Sequence, residues 1–227
     1  MNEKILELLV QLKNEDAADR RYAAEDLADF RVPQVIEALG LALDDRDTSV
    51  REAIVDSLIK IGGSATAETM MQFLSSESTV LRNHAVEILE RLDEADLNCL
   101  ITDVLRSPDP DVRKFGLDVL ANRPSFAFLL IHDWFHAVAD LLDDPNANVA
   151  SAAAEILGKS GRKDALKYLL YHVYDSPWMQ MVAIEAIASF SDPEGLTALK
   201  RIDPTRLDPS MQRHLKSLLL QMERIAS

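Results

Sequence analysis

The sequence has one cysteine, seven glycines, nine prolines and only 6% aromatic residues in 227 positions. A lone thiol, Cys99, excludes an intramolecular disulfide framework and a thiolate metal knuckle, and it fits a reducing compartment. So few glycines leave no Gly-rich loop to cradle a phosphate. The longest strongly apolar run, residues 126–131, is far too short to cross a bilayer, for which ~20 residues are needed. Met1 to Leu12 reads as a charged amphipathic helix with no long apolar segment or cleavage site behind it. These absences predict a cytoplasmic protein with no membrane partner. Positive charge is also short: 24 Lys and Arg face 38 Asp and Glu, a net charge of −14 spread along the chain rather than gathered in a tail. A chain of that sign repels phosphate backbones, so no nucleic acid is expected as a partner. A protein or peptide with a basic surface is the more natural guest.

What is abundant is apolar and helix-forming. Apolar residues reach 48%, and Ala, Leu, Glu and Asp dominate, which favours helix over a strand-rich sandwich. Internal self-similarity is the main signal. SVREAIVDSLIKIGG, starting at Ser49, returns after 31 residues as VLRNHAVEILERLD and after another 31 as DVRKFGLDVLANRP. A shift of 31 backwards gives ADRRYAAEDLADFR. Further on, NVASAAAEILGKSG needs a shift of 37 and WMQMVAIEAIASFS one of 30.

The matched positions are physically consistent. Leu27, Leu58, Leu89, Leu120, Leu157 and Ile187 share one slot. Each lies four residues after Ala23, Ile54, Ala85, Gly116, Ala153 or Ala183, on the same helical face, so both should point inward. Asp16, Asp47, Ser78, Asp109, Asn146 and Ser176 stand just ahead of the blocks and can cap exposed N–H groups. A second helix set is expected at Ile5–Leu12, Pro33–Leu43, Ser64–Leu74, Ala95–Leu105, His132–Leu142 and Arg162–Val173. The unit is then an antiparallel helix pair, too short to bury its apolar face unless neighbours stack. Residues 193–227 match poorly. Pro204 and Pro209 interrupt them, and Met211–Arg224 reads as a longer, more polar helix suited to closing the array.

The block VREAIVDSLIKIG resembles the HEAT-like repeats of phycobilin lyase subunits and bacterial scaffold proteins, over roughly residues 14–191. The resemblance implies an all-α fold, an α-solenoid of about seven stacked antiparallel helix pairs, here a single domain over residues 1–227 with a divergent cap at 193–227. It also implies that the second helix of each pair lines the concave surface. The recurring Arg20, Arg51, Arg82 and Arg113 give way to Ala150 and Gln180. Deoxyhypusine hydroxylases of this architecture carry repeated His-Glu dipeptides as iron ligands, and this chain has none.

Two constellations could carry chemistry. Glu25, Asp56, Glu87, Asp118, Glu155 and Glu185 form a ladder whose rungs stand a repeat apart, roughly 10 Å, wider than most paired-carboxylate mechanisms use. The arginines five residues earlier point about 140° away on the same helix, so pairing with them would run between repeats. His132 and His136, four apart with Asp133 between them, outline a metal motif, but no third ligand is evident. Glu37, Glu68, Cys99 and Lys167 occupy the His136 slot, a mostly polar set expected on the outer surface. No metal, cofactor or catalytic residue is expected.

A partner is expected on the second-helix stripe, where Tyr22, His84, Phe115 and Trp178 recur beside those acids. Aromatic anchors with charged neighbours suit a protein interface. The alternative for the Tyr22 slot is packing between repeats. A six-residue excess in PSFAFLLIHDWFHAV, from Pro124, is either filler or a second docking patch. The function expected is therefore a non-enzymatic scaffold or adaptor, with an accessory subunit of a phycobilin-lyase-like system as the alternative and the oligomeric state open.

Overall fold

Every capping residue singled out above does begin a helix. In the computed structural model, which describes residues 2–97, 100–122, 134–190 and 193–226, the described residues form helices and turns and include no strand. The helices are α1 Glu3–Gln11, α2 Ala17–Leu27, α3 Pro33–Leu41, α4 Thr48–Ile61, α5 Gly63–Phe73, α6 Thr79–Arg91, α7 Glu94–Leu97, α8 Ile101–Leu105 and α9 Pro110–Ala121. They continue with α10 Trp134–Asp140, α11 Ala147–Lys159, α12 Lys163–His172, α13 Pro177–Ala188, α14 Pro193–Leu199 and α15 Pro209–Ala226.

Side-chain oxygens of Asp16, Asp47, Asp109 and Asn146 accept from backbone N–H groups at 2.7–2.9 Å. Ser78 and Ser176 do the same at 3.4 and 3.3 Å. Each cap satisfies a donor that the first helical turn leaves open. One expected helix is different: Ala95–Leu105 is not continuous but divides into α7 and α8. There Leu100 N donates to Leu97 O, and Asp96 Oδ2 accepts from Gly63 N at 3.0 Å. The Cys99 position at this break lies outside the described residues.

The chain forms two compact units, Met1–Arg123 and Pro124–Ser227. In the first, α1/α2, α3/α4, α5/α6 and α7–α8/α9 are antiparallel pairs. Their second helices pack in series, α2 on α4, α4 on α6 and α6 on α9, while α1, α3, α5 and α7 form the other layer. In the second unit α10/α11, α12/α13 and α14/α15 pair likewise, with α11 on α13 and α13 on α15. The described residues thus give the expected all-α solenoid architecture with seven helix pairs.

Stacking is driven by the repeated apolar slot. Leu27, Leu58, Leu89, Leu120, Leu157 and Ile187 are all 0% exposed, and each contributes about 1.5–3 kcal/mol by leaving water. Three glycines are geometrically required. Gly62 (φ 58°) and Gly63 (φ 82°) turn α4 directly into α5 through the left-handed region. Gly158 brings α11 against α13: a Cβ there would lie 2.5 Å from Ala186 O and 2.9 Å from Ala186 Cα.

Two stability predictions follow from this packing. Leu89→Ala should lower the unfolding free energy by about 2–5 kcal/mol in urea titrations. Gly158→Ala should cost about 1–3 kcal/mol, because backbone rather than a flexible side chain must yield. An unchanged urea midpoint for either variant contradicts the packing described.

Candidate partner-binding surface

The stripe predicted from sequence lies on the outer face of the second helices, and the two units present it separately. In the first unit Tyr22 on α2 is 56% exposed, with the Arg21 guanidinium 4.6 Å from its ring centroid. Glu25, Asp56 and Glu87 are exposed, whereas His84, Phe115 and Asp118 are half-buried. Tyr22 is therefore open, while His84 and Phe115 are partly wedged among their neighbours. In the second unit Trp178 is 42% exposed, and Glu155 and Glu185 are open to solvent.

None of the ladder carboxylates stands alone. Glu25 meets Arg21 at 3.2 Å, and Asp56 meets Arg91 at 3.6 Å. Glu87 lies 3.8 Å from Arg91 and 3.3 Å from His84 Nδ1. Asp118 pairs with Lys114, Glu155 with Lys159, and Glu185 with His214 Nε2 at 2.5 Å. The partners are thus one turn away on the same helix or on the next repeat, and the arginines five residues earlier take no part.

A column one turn beyond the acids joins consecutive repeats. Lys60 Nζ reaches Asp29 at 2.8 Å, Arg91 reaches Asp56, and Asn122 Nδ2 donates to Glu90 at 2.6 Å. Exposed contacts of this kind add little to stability. They set side-chain positions on the surface more than they hold the fold together.

The arginine ladder has a different task, which the sequence reading missed. Arg20 Nη1 donates to Asn14 O at 2.9 Å and Glu15 O at 2.8 Å. Arg82 Nη1 donates to Ser76 O and Glu77 O at 2.6 and 3.0 Å, and Arg113 to Ser107 O and Pro108 O at 2.8 and 3.1 Å. Arg51 Nη1 reaches Asp45 O at 2.6 Å. Each guanidinium closes the turn ahead of its own helix. The available signal was the Asn, Asp or Ser two residues before each cap, whose side chain accepts the cap's N–H at 2.8–3.2 Å from Asn14 through Ser107. Where Gln180 replaces the arginine, its Oε1 is buried without a hydrogen-bond partner among the described residues.

The metal motif finds limited support. His136 is exposed on α10, while His132 and Asp133 lie outside the described residues, as do Phe126, Phe128, Leu129 and Ile131. Among the described residues no group of three His, Cys, Asp or Glu is placed to hold a metal ion. The end of the inserted segment is core, since Trp134 and Phe135 are each 1% exposed. The Arg162 guanidinium lies 4.0 Å from the Phe135 ring centroid. Sequence reasoning also passed over Tyr171, 75% exposed, at the mouth of a hollow of about 370 Å³ that Asp140, Asp143, Lys167 and Tyr168 help to line. The buried His172, also in its wall, donates Nδ1–H to Asp175 Oδ2 at 2.6 Å. No helix among the described residues is long and apolar enough to cross a membrane.

A stack of capped helix pairs with one repeated apolar slot defines a class, and the HEAT-repeat pattern matches residues 5–89 and 136–209. The chain belongs to the HEAT-repeat family. It is similar to a protein of Pseudanabaena tenuis named as an uncharacterized phycocyanin operon protein Z, 24% identical over 220 residues, 95% of this chain and 94% of that one. Among solved structures it is similar to an archaeal HEAT-like repeats protein from Thermococcus onnurineus, 18% identical with a TM-score of 0.43, covering 82% of this chain and 86% of that one. It is also similar to the complex of CpcE and CpcF of phycocyanin lyase from Nostoc, 17% identical with a TM-score of 0.36, covering 98% and 96%.

The best-formed pair in the molecule sets a pH dependence. Arg20 Nε and Nη2 donate to Asp45 Oδ2 and Oδ1 at 2.7 and 2.8 Å. The Arg20 hydrogen bond holds the Asp45 carboxyl below its ordinary range, with the Asp47 N–H and the guanidinium charge adding to it. A depressed folded-state pKa means the pair's contribution is complete above the unfolded value, about 3.9, and is lost as pH falls through the folded one. Asp45→Asn should therefore be less stable than the parent at pH 7, and urea midpoints of the two should converge as pH drops from about 5 to 2. A gap independent of pH refutes this linkage.

Proposed function

We propose that this chain is a non-enzymatic adaptor that binds a partner protein or peptide on the solvent-facing stripe of its second helices, the side the family resemblance makes concave. The observation that carries the reading is Tyr22, His84 and Phe115 at one register position of the first, third and fourth repeats of the first unit, Ala53 holding that position in the second. Each stands one turn from an acid of the Glu25, Glu87 and Asp118 ladder. Aromatic side chains bring contact area at small entropic cost, and fixed charges beside them select orientation and approach. A basic guest suits a chain with net charge −14. The pairing of each ladder acid tempers the local field, so aromatic contact supplies affinity and charge mainly steers encounter. Trp178 with Glu155 and Glu185 offers the same combination on the second unit. The place of work is the cytoplasm, and no cofactor takes part.

A second reading is favoured by one finding, the similarity over nearly the whole chain to a phycocyanin operon protein. On that reading the same surface serves an accessory subunit in a chromophore-attachment system of the phycobilin-lyase kind. The guest is then the protein that receives the pigment.

Affinity capture followed by mass spectrometry identifies the guest, and surface plasmon resonance with that guest tests the site. Glu87→Lys with Asp118→Lys should slow association and flatten its salt dependence, since mobile ions screen exposed charge over roughly 8 Å at physiological strength. Phe115→Ala should mainly raise the off-rate, with a loss of about 1–2 kcal/mol if it acts as an anchor. Unchanged kinetics in both variants, with binding abolished by Tyr171→Ala, move the interface to the first-helix side of the second unit.

A further inference from the structure

Stacked repeats bury each apolar face against a neighbour, so an apolar side chain left in solvent on a helix is available for contact. Helices α1 and α15 both carry such side chains. On α1 the core side is Ile5 and Leu8, yet Leu6 is 45% and Val10 73% exposed. Helical spacing puts Leu6 and Val10 on one face with Glu3 and Glu7 along their edge, an apolar strip with an acidic margin.

In the second unit, α15 and its neighbours carry the complementary chemistry. Helix α15 is anchored by Met211 and Leu215, while Leu220 is 51% exposed and Leu218, Leu219 and Met222 are half-buried. Between α14, the short turn Pro204–Arg206 and α15 runs a groove of about 830 Å³ with Leu199, Ile202 and Leu219 in its wall and Lys200, Arg213 and Lys216 on its rim. Lys200 is held by Glu223 at 2.7 Å, and Arg213 and Lys216 are exposed. Although the chain as a whole is acidic, residues 193–227 carry six Lys and Arg against four Asp and Glu.

We infer that the cationic, leucine-walled groove beside α15 receives the acidic, apolar outer face of α1 from a second copy of this chain. Leu6 and Val10 then fill the groove against Ile202 and Leu219, and Glu3 and Glu7 meet Arg213 and Lys216. The contact joins different surfaces of the two copies, so it is heterologous and adds copies head to tail unless the rotation closes a ring. It uses the ends of the repeat array and leaves the Tyr22–Phe115 face of every copy open, so it goes beyond the adaptor reading and does not depend on it.

Sedimentation velocity on the full chain over a range of concentrations at low salt tests the contact. The parent should show concentration-dependent association that weakens as salt rises. Glu3→Lys with Glu7→Lys, and separately Arg213→Glu with Lys216→Glu, should each reduce the association constant by about tenfold or more. A chain carrying all four reversals should regain it, because the charges again match. The four positions are exposed, and unchanged helical circular dichroism confirms that each variant folds. A parent that stays monomeric throughout overturns the inference. So does association that neither pair of reversals weakens, or a fourfold variant that fails to recover.

Discussion

A helix of 9 to 14 residues, the range from α1 to α4, cannot hide an apolar face by itself, and that constraint organises both units. Isolated helices of this length are marginal in water because nucleation is costly and propagation gains little. Stability must come from one helix pair lying on the next. Leu27, Leu58 and Leu89 each sit between the helices of their own pair and those of an adjacent one, and all three are fully buried. Stacking also requires close approach. Gly158, placed so that even a methyl group would press on the Ala186 backbone, shows how little space remains between α11 and α13.

Stacking fixes the helices, and the turns between them must then satisfy their own polar groups. In the first unit the solution recurs: a cap side chain takes a helix N–H, the side chain two residues earlier takes the cap's N–H, and an arginine takes carbonyls of the turn. Charged donors make stronger hydrogen bonds than neutral ones, so a single guanidinium stabilises the bend without help from a long loop. The second unit keeps the first two parts at Asn146, whose N–H Asp144 Oδ1 accepts at 2.8 Å, but not the arginine. Ala150 is fully buried and has no side-chain donor to offer, and Gln180 leaves Oε1 without a partner among the described residues, a shortfall of about 1–3 kcal/mol for a buried polar atom. The second unit holds its turns by other means, among them the buried His172 against Asp175 and Tyr174 Oη accepting from Asp203 N at 2.8 Å.

Much of this was legible in the sequence because it is periodic. The Leu89 slot, the six caps and the seven pairs follow from residue types recurring at fixed spacing, and local rules suffice to place them. Less legible was what each long side chain reaches. Helical geometry correctly set the ladder acids apart from the arginines five residues earlier, but it could not reveal that Arg82 folds back to Ser76 O and Glu77 O. That contact depends on the path of the turn before the helix. Trp134 invited a surface role through its place in an aromatic insertion, yet it is 1% exposed, because α10 turns that side toward α11. The break between α7 and α8 has no proline or glycine to announce it.

The binding surface was the least legible part for a physical reason that also bears on function. Truncating a buried leucine in a packed slot costs several kcal/mol, so the residues that define the scaffold tolerate little change. Exposed pairs such as Lys60–Asp29 and Arg91–Asp56 hold the fold only weakly, so residues on the proposed binding face can be exchanged at little cost to folding. The two sets occupy different faces of the same helices: Ile54 and Leu58 point inward on α4, and Asp56 between them points out. The fold and the guest are therefore written in separate positions of one repeat. A scaffold that is easy to recognise is then compatible with many guests, and what distinguishes this chain is the arrangement of Tyr22, His84, Phe115 and Trp178 on that outward face.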